Sequence, residues 1–156
     1  MKTGTIEYRV DTASAAQVSL HLEQCDANFV PALSGRVDVN AYAAKICGNA
    51  VRFEAWSNHV LIGLLAAYCN DDERRVAFIT SVSIVADRTG EGIATRLLRH
   101  CIDYVKLQRM RRISLEVAGG HRSAIQLYEK CGFTAGEAQG SMILMHLDLE
   151  KGAHDT

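Results

Sequence analysis

Residues Ser83-Ile84-Val85-Ala86-Asp87-Arg88-Thr89-Gly90-Glu91-Gly92-Ile93-Ala94-Thr95 read as a strand, a turn with two glycines and the start of a helix. The first turn of a helix has N–H groups without intrahelical partners and a partial positive charge, so a glycine approach lets a phosphate rest directly on them. A pyrophosphate would fit there. The plainer reading is a tight left-handed turn and a helix start. A dinucleotide fingerprint needs a third glycine, which Gly90-Glu91-Gly92-Ile93-Ala94-Thr95 lacks, and no Gly-Lys-Ser/Thr follows for a Walker loop. Two further groups could move protons. Glu116 stands mid-strand between Leu115 and Val117 and points opposite to them, toward one sheet face. It serves either as a base or as a solvated or ion-paired carboxylate beside Arg111 or Arg112. Tyr128, four residues before Gly132, carries a phenol of ordinary pKa about 10 that can hold a proton or simply pack its ring.

These groups need a frame. The chain has 156 residues, 48% of them hydrophobic and 22% charged, with one proline and twelve glycines, a globular composition of one-domain size. A single domain over 1–156 is expected. The formal charge of −1 gives no field that would draw the protein onto nucleic acid or an anionic membrane. Cys25, Cys47, Cys69, Cys101 and Cys131 lie far apart with no CxxC, so they read as free buried thiols. His21, His59, His100 and His146 show no metal spacing, and no metal is implied. The first residues lack the apolar core of a signal peptide, and the run from Val60 to Cys69 is too short to span a bilayer. A reducing cytoplasmic location is the expectation.

Periodicity predicts a strand over Ile6–Val10, a helix from Ala13 to Cys25 capped by Asp11 or Thr12, a break near Asn28-Phe29-Val30-Pro31, and a helix from Val39 to Cys47. Strands at Val51–Trp56, Val60–Tyr68 and Val76–Val85 form an antiparallel meander. An amphipathic helix follows over Gly92–Leu107, then a strand at Ile113–Val117, a helix at Ser123–Lys130, and strands around Phe133–Ala138 and Met142–Leu149. The order is β-α-α-β-β-β-α-β-α-β-β. Strand-helix-strand order in the second half demands one parallel pair with a right-handed crossover, giving an α/β sheet covered on both faces.

The segment Thr89-Gly90-Glu91-Gly92-Ile93-Ala94 resembles the glycine turn of the GNAT acyl-CoA N-acyltransferase superfamily, which reads Gln/Arg-x-x-Gly-x-Gly/Ala. A second block, Leu115-Glu116-Val117 followed by Ala124-Ile125-Gln126-Leu127-Tyr128-Glu129-Lys130-Cys131-Gly132-Phe133, is similar to the family's L-E-V and N-x-x-A-x-x-L-Y-E-K-x-G-F. That block also looks like the one in protein N-terminal alanine acetyltransferases. Together the two cover about Ile79 to Phe133 in the family's order. The resemblance implies an α+β domain with a mixed, mostly antiparallel sheet of six or seven strands. Two residues depart from the pattern: Thr89 replaces the Gln or Arg that opens the turn, with Arg88 one place early, and His121 replaces the Asn of the second block.

From the resemblance follow acetyl-CoA as co-substrate and direct transfer of its acetyl group to a primary amine in a ternary complex. Tyr128 would be the general acid for the departing thiolate and Glu116 the general base, with Glu54 in reserve. Val82, Ser83 and Ile84 would pair with the pantetheine arm, the amide near Ile84 polarising the thioester carbonyl. Arg88, Thr89, Gly90, Glu91, Gly92, Ile93, Ala94 and Thr95 would form the phosphate cradle, and His121 would face the arm. Arg88, Arg96 and Arg99 are candidates for the nucleotide's 3′-phosphate. The acceptor is a small amine, an amino sugar or a peptide N-terminus. Its wall would lie along Phe29 to Tyr42, with Arg36, Tyr42, Lys45 and Trp56 available for recognition unless Tyr42 and Trp56 are core. A homodimer is left open. The other reading is a non-catalytic CoA-binding or sensing module on the same fold.

Overall fold

A computed structural model describes residues 5–29 and 32–149. Its elements are β1 (Glu7–Val10), α1 (Ala15–Cys25), α2 (Val39–Asn49), β2 (Val51–Ser57), β3 (Val60–Tyr68), β4 (Val76–Ile84), α3 (Ile93–Leu107), β5 (Arg112–Ala118), α4 (Arg122–Lys130), β6 (Thr134–Gln139) and β7 (Met142–Asp148). This is the expected order. Short 3-10 turns at Asp26–Asn28, Leu33–Gly35 and Ala86–Arg88 were not anticipated. Val30 and Pro31, where part of the helix break was expected, lie outside the described residues.

The seven strands form one sheet in the order β1-β2-β3-β4-β5-β7-β6. Only β4 and β5 run parallel, joined by the α3 crossover, and every other pairing is antiparallel. Two cores result. Leu97, Leu98, Cys101 and Val105 of α3 pack with Phe53, Leu65, Ile113, Leu115 and Tyr128 on one face. Val18 and Leu22 of α1 and Ala43 and Ile46 of α2 pack with Trp56, Leu61 and Leu64 on the other. β3 is therefore buried on both sides, which explains its continuous apolar run Leu61-Ile62-Gly63-Leu64-Leu65.

The first helix starts later than predicted, and the reason is tertiary. Asp11 adopts φ 58° and exchanges hydrogen bonds with Arg52: its N–H donates to the Arg52 carbonyl at 2.9 Å, and its carboxylate accepts from the Arg52 N–H at 2.8 Å. Thr12 is drawn to Glu54. Neither residue is left to cap, so Ser14 does so in a reciprocal pair with Gln17. Glu54 is fully buried and accepts from the N–H groups of Thr12 (3.0 Å) and Ala13 (2.9 Å), the Thr12 hydroxyl and the Trp56 indole (3.0 Å). Arg52, 3.7 Å away, balances its charge.

Glu54 thus ties the β1–α1 junction to the sheet. It has no free lone pair facing solvent, and the role of reserve base is set aside on those grounds. Removing it strands several buried donors and a buried guanidinium, so Glu54→Ala is expected to lose about 3–5 kcal/mol, read as a lower midpoint in urea unfolding. A midpoint within experimental error of the parent protein would refute this reading of the junction.

Candidate active site

The sheet opens at one place. β4 and β5 pair from Val76↔Arg112 to Ile79↔Leu115 and then separate, β4 running on to Ile84 and β5 to Ala118 without a ladder between them. A bulge begins the separation. Ala66 pairs with Ser81 and Ala67 with Ile79, which leaves Thr80 unpaired. The α2 residue Tyr42 pins that bulge, its hydroxyl lying 2.9 Å from the Thr80 carbonyl and 2.7 Å from Thr80 Oγ1. Beyond it, β4 keeps β3 on one edge and offers its other edge to a cleft of about 300 Å³.

Alternation places the two proton-transfer candidates on opposite sides of this opening. Leu115 and Val117 belong to the core shared with α3 and α4, so Glu116 projects toward the other face. Ser114, two residues earlier on the strand, bonds its β7 partner His146 at 2.9 Å. Tyr128, on α4, approaches from the α3/α4 side, its ring packed on Phe133 at 5.9 Å. Both residues line the cleft. Glu116 is exposed, whereas burial keeps Tyr128 protonated by pushing its phenol up to about 12.

At the far end of the cleft stands the glycine turn. Gly90 and Gly92 take φ 81° and 80°, which only glycine adopts without strain, and a Cβ added to either would meet nothing within 4 Å. Gly92 is the N-cap of α3 and supplies no side-chain acceptor. His121, the N-cap of α4, also makes no capping hydrogen bond. By contrast, α1 and α2 are capped by Ser14 and Asp38. The two uncapped helices are the two that flank the cleft, so their first-turn amides remain available to an anion there.

The sequence-predicted residues sort by position. Val82, Ser83, Ile84, Thr89, Ala94 and His121 line the cleft with Glu116 and Tyr128. Gly90, Glu91, Gly92 and Thr95 build the turn and first helical turn around it. Ile93 is only 2% exposed, so it can offer a backbone amide but no side chain. Gly63 makes room for it: a Cβ there would stand 2.9 Å from Ile93 Cγ2. Arg88 is buried and its Nε donates to Glu91 at 3.1 Å, bracing the turn from within. Arg96 lies over the Tyr8 ring at 4.7 Å, away from the cleft lining.

Of the four acceptor candidates, Arg36 lines the cleft, together with Phe29. Tyr42 holds the bulge, Trp56 is a core residue bonded to Glu54, and Lys45 lies over the Tyr68 ring at 5.7 Å. One pair escaped the sequence reading. His21 is buried beneath β4, its Nδ1 2.9 Å from the Leu61 carbonyl and its Nε2 2.9 Å from Ser83 Oγ. A carbonyl can only accept, so Nδ1 carries the proton and the Ser83 hydroxyl donates to Nε2. Burial lowers the His21 pKa and favours this neutral form. No sequence spacing signals a contact between residues 62 apart.

The cleft thus combines an open parallel junction, an uncapped helix start, a carboxylate and a phenol. The chain belongs to the acetyltransferase (GNAT) family, whose sequence model matches residues 20–133. It is 33% identical over 85 residues to N-alpha-acetyltransferase 30 of Schizosaccharomyces pombe, a match covering 52% of this chain and 55% of that one. Over 80 residues it is 32% identical to the uncharacterized N-acetyltransferase MJ1207 of Methanocaldococcus jannaschii, covering 49% of this chain and 35% of that protein. The matched segments thus span about half or less of these curated relatives.

Among solved structures, the PaiA N-acetyltransferase of Thermoplasma acidophilum in complex with coenzyme A superposes with a TM-score of 0.72 at 15% identity, covering 92% of this chain and 99% of that one. The ribosomal-protein-S18-alanine N-acetyltransferase of Escherichia coli superposes at 0.74 and 18% identity, covering 94% of each chain. These likenesses establish the fold. Among the described residues, no group of three or more His, Cys, Asp or Glu could hold a metal ion, and no helix is long and apolar enough to cross a membrane.

Proposed function

We propose that the protein is an N-acetyltransferase that moves an acetyl group from acetyl-CoA to a primary amine by direct transfer in a ternary complex. The reading rests on the parting of β4 and β5 after Ile79↔Leu115, with Glu116 and Tyr128 on opposite sides of the gap. Bound acetyl-CoA would supply the activated thioester. The residues present suit it: the uncapped amides of Ile93, Ala94 and Thr95 would take the pyrophosphate. The free edge of β4 at Val82, Ser83 and Ile84 would hydrogen-bond the amide-bearing arm as another strand would. His121 would meet the same arm.

The chemistry divides between the two faces. The acceptor nitrogen forms the new N–C bond as the C–S bond breaks. Glu116 takes the proton the amine gives up, directly or through water, and Tyr128 gives its proton to the leaving sulfur. Burial keeps the Tyr128 phenol protonated, so its proton is held in place for the leaving sulfur.

The test is thiol release from acetyl-CoA against a panel of amines. Release that depends on the amine, with matching acetylated product, is expected. Tight CoA binding without amine-dependent release would instead favour the non-catalytic binding module.

A further inference from the structure

The end of the cleft where β4 and β5 part carries one cation and one anion. Thr80 and Glu116 are the first residues on each strand beyond the last ladder pair, Ile79↔Leu115. Arg36 lies at the same end: it lines the cleft and its charge acts on the Tyr42 phenol, which burial nonetheless holds above its ordinary pKa and which is itself bonded to Thr80. Among the described residues lining the cleft, Glu116 is the only carboxylate and Arg36 the only guanidinium or ammonium side chain. Both are exposed, and neither makes an ion pair or side-chain hydrogen bond among the described residues. The phosphate cradle is far off. Four residue steps along β4, from Thr80 to Ile84, already span about 13 Å before the glycine turn begins.

We infer that the acceptor is an amine carrying a carboxylate a few bonds from its nitrogen, with Arg36 holding the carboxylate while Glu116 receives the ammonium. This inference rests on the acetyl-transfer reading above. A guanidinium presents paired N–H donors that match a carboxylate, so Arg36 can fix the orientation of the acceptor as well as attract it. A neutral amine would reach Glu116 but leave Arg36 without a partner. Arg36 is thus a specificity-determining residue, drawn from the α1–α2 connection, and Phe29, which also lines the cleft, offers an apolar wall for the carbon skeleton. Free amino acids and peptide amino termini with an acidic residue in second position share this chemistry.

The test compares kcat/KM for matched acceptors: an amino acid with its amide, and a peptide bearing Asp with one bearing Asn in second position. The charged member of at least one pair is expected to be acetylated at least ~10-fold more efficiently, and the pair that shows it identifies the source. Arg36→Ala should collapse that ratio toward one, Arg36→Lys should restore part of it, and Arg36→Glu should invert it. Equal efficiency for both pairs in the parent protein, or a ratio that survives Arg36→Ala, overturns the inference alone. A comparable loss of acetyl-CoA affinity in Arg36→Ala, measured by calorimetry, would assign Arg36 to the donor and overturn it as well. Absence of transfer to every amine overturns the acetyl-transfer reading, and this inference with it.

Discussion

Tyr128→Phe is expected to lower kcat by about 10²- to 10³-fold while leaving acetyl-CoA affinity and stability close to those of the parent protein. The substitution removes one oxygen and nothing else of consequence. The Tyr128 ring keeps its contact with Phe133, and the hydroxyl makes no hydrogen bond among the described residues whose loss would unfold α4. A structural tyrosine would give the opposite pattern, a change in unfolding midpoint with little change in turnover. The pH profile offers a second discrimination. Because burial holds the phenol up near 12, Tyr128 stays protonated through the ordinary assay range and should contribute no alkaline fall in kcat below about pH 10. Stopped assays from pH 6 to 10, combined with a calorimetric titration of acetyl-CoA, would show whether catalysis and binding separate in this way.

The second large effect is expected from Glu116→Gln. An exposed carboxylate with no ion-pair partner among the described residues contributes little to folding, so stability should change by less than about 0.5 kcal/mol. Activity should change much more. Without Glu116 the acceptor must arrive already deprotonated, and kcat/KM at neutral pH should fall by about 10²-fold or more. The deficit should then shrink as pH rises toward the acceptor's own pKa, about 8 for an α-amino group and about 10.4 for a lysine-like amine, because the neutral fraction grows tenfold per unit. A deficit constant across pH would remove Glu116 from proton transfer. It would leave a residue that only attracts the acceptor.

The predicted elements were legible because their signals are local. Ile93, Leu97, Cys101 and Val105 recur at helical spacing, and all four prove buried in the core shared by α3 and the sheet. The glycine turn was readable for the same reason, since Gly90 and Gly92 take the left-handed conformation that the spacing implied. The alternation of Leu115, Glu116 and Val117 also fixed the face on which the carboxylate stands.

What escaped depends on contacts distant in the chain. The bulge at Thr80 exists because β3 and β4 slip by one residue between Ala66 and Ala67, and no composition of nearby residues announces it. The start of α1 shifted for a similar reason, as Asp11 and Thr12 were taken by Arg52 and Glu54, some forty residues away. Glu54, on an earlier strand, stood in reserve as a base. Its burial under converging donors is a tertiary fact. His21 and Ser83 meet only because α1 crosses beneath the end of β4. In the acceptor region the reverse occurred: four polar residues were plausible by type, and only the fold separates Arg36, on the cleft, from Tyr42, Lys45 and Trp56, which serve the scaffold.

On the proposed function, the gap between β4 and β5 holds acetyl-CoA with its phosphates on the start of α3 and its sulfur beside Tyr128. A crystal structure of the protein grown with CoA would decide whether it does. Pyrophosphate oxygens are expected within hydrogen-bonding distance of the Ile93, Ala94 and Thr95 amides, with the arm alongside Val82 to Ile84 and the sulfur within reach of the Tyr128 hydroxyl. CoA bound elsewhere on the molecule, or seated in the gap with its sulfur turned away from both Tyr128 and Glu116, would contradict it.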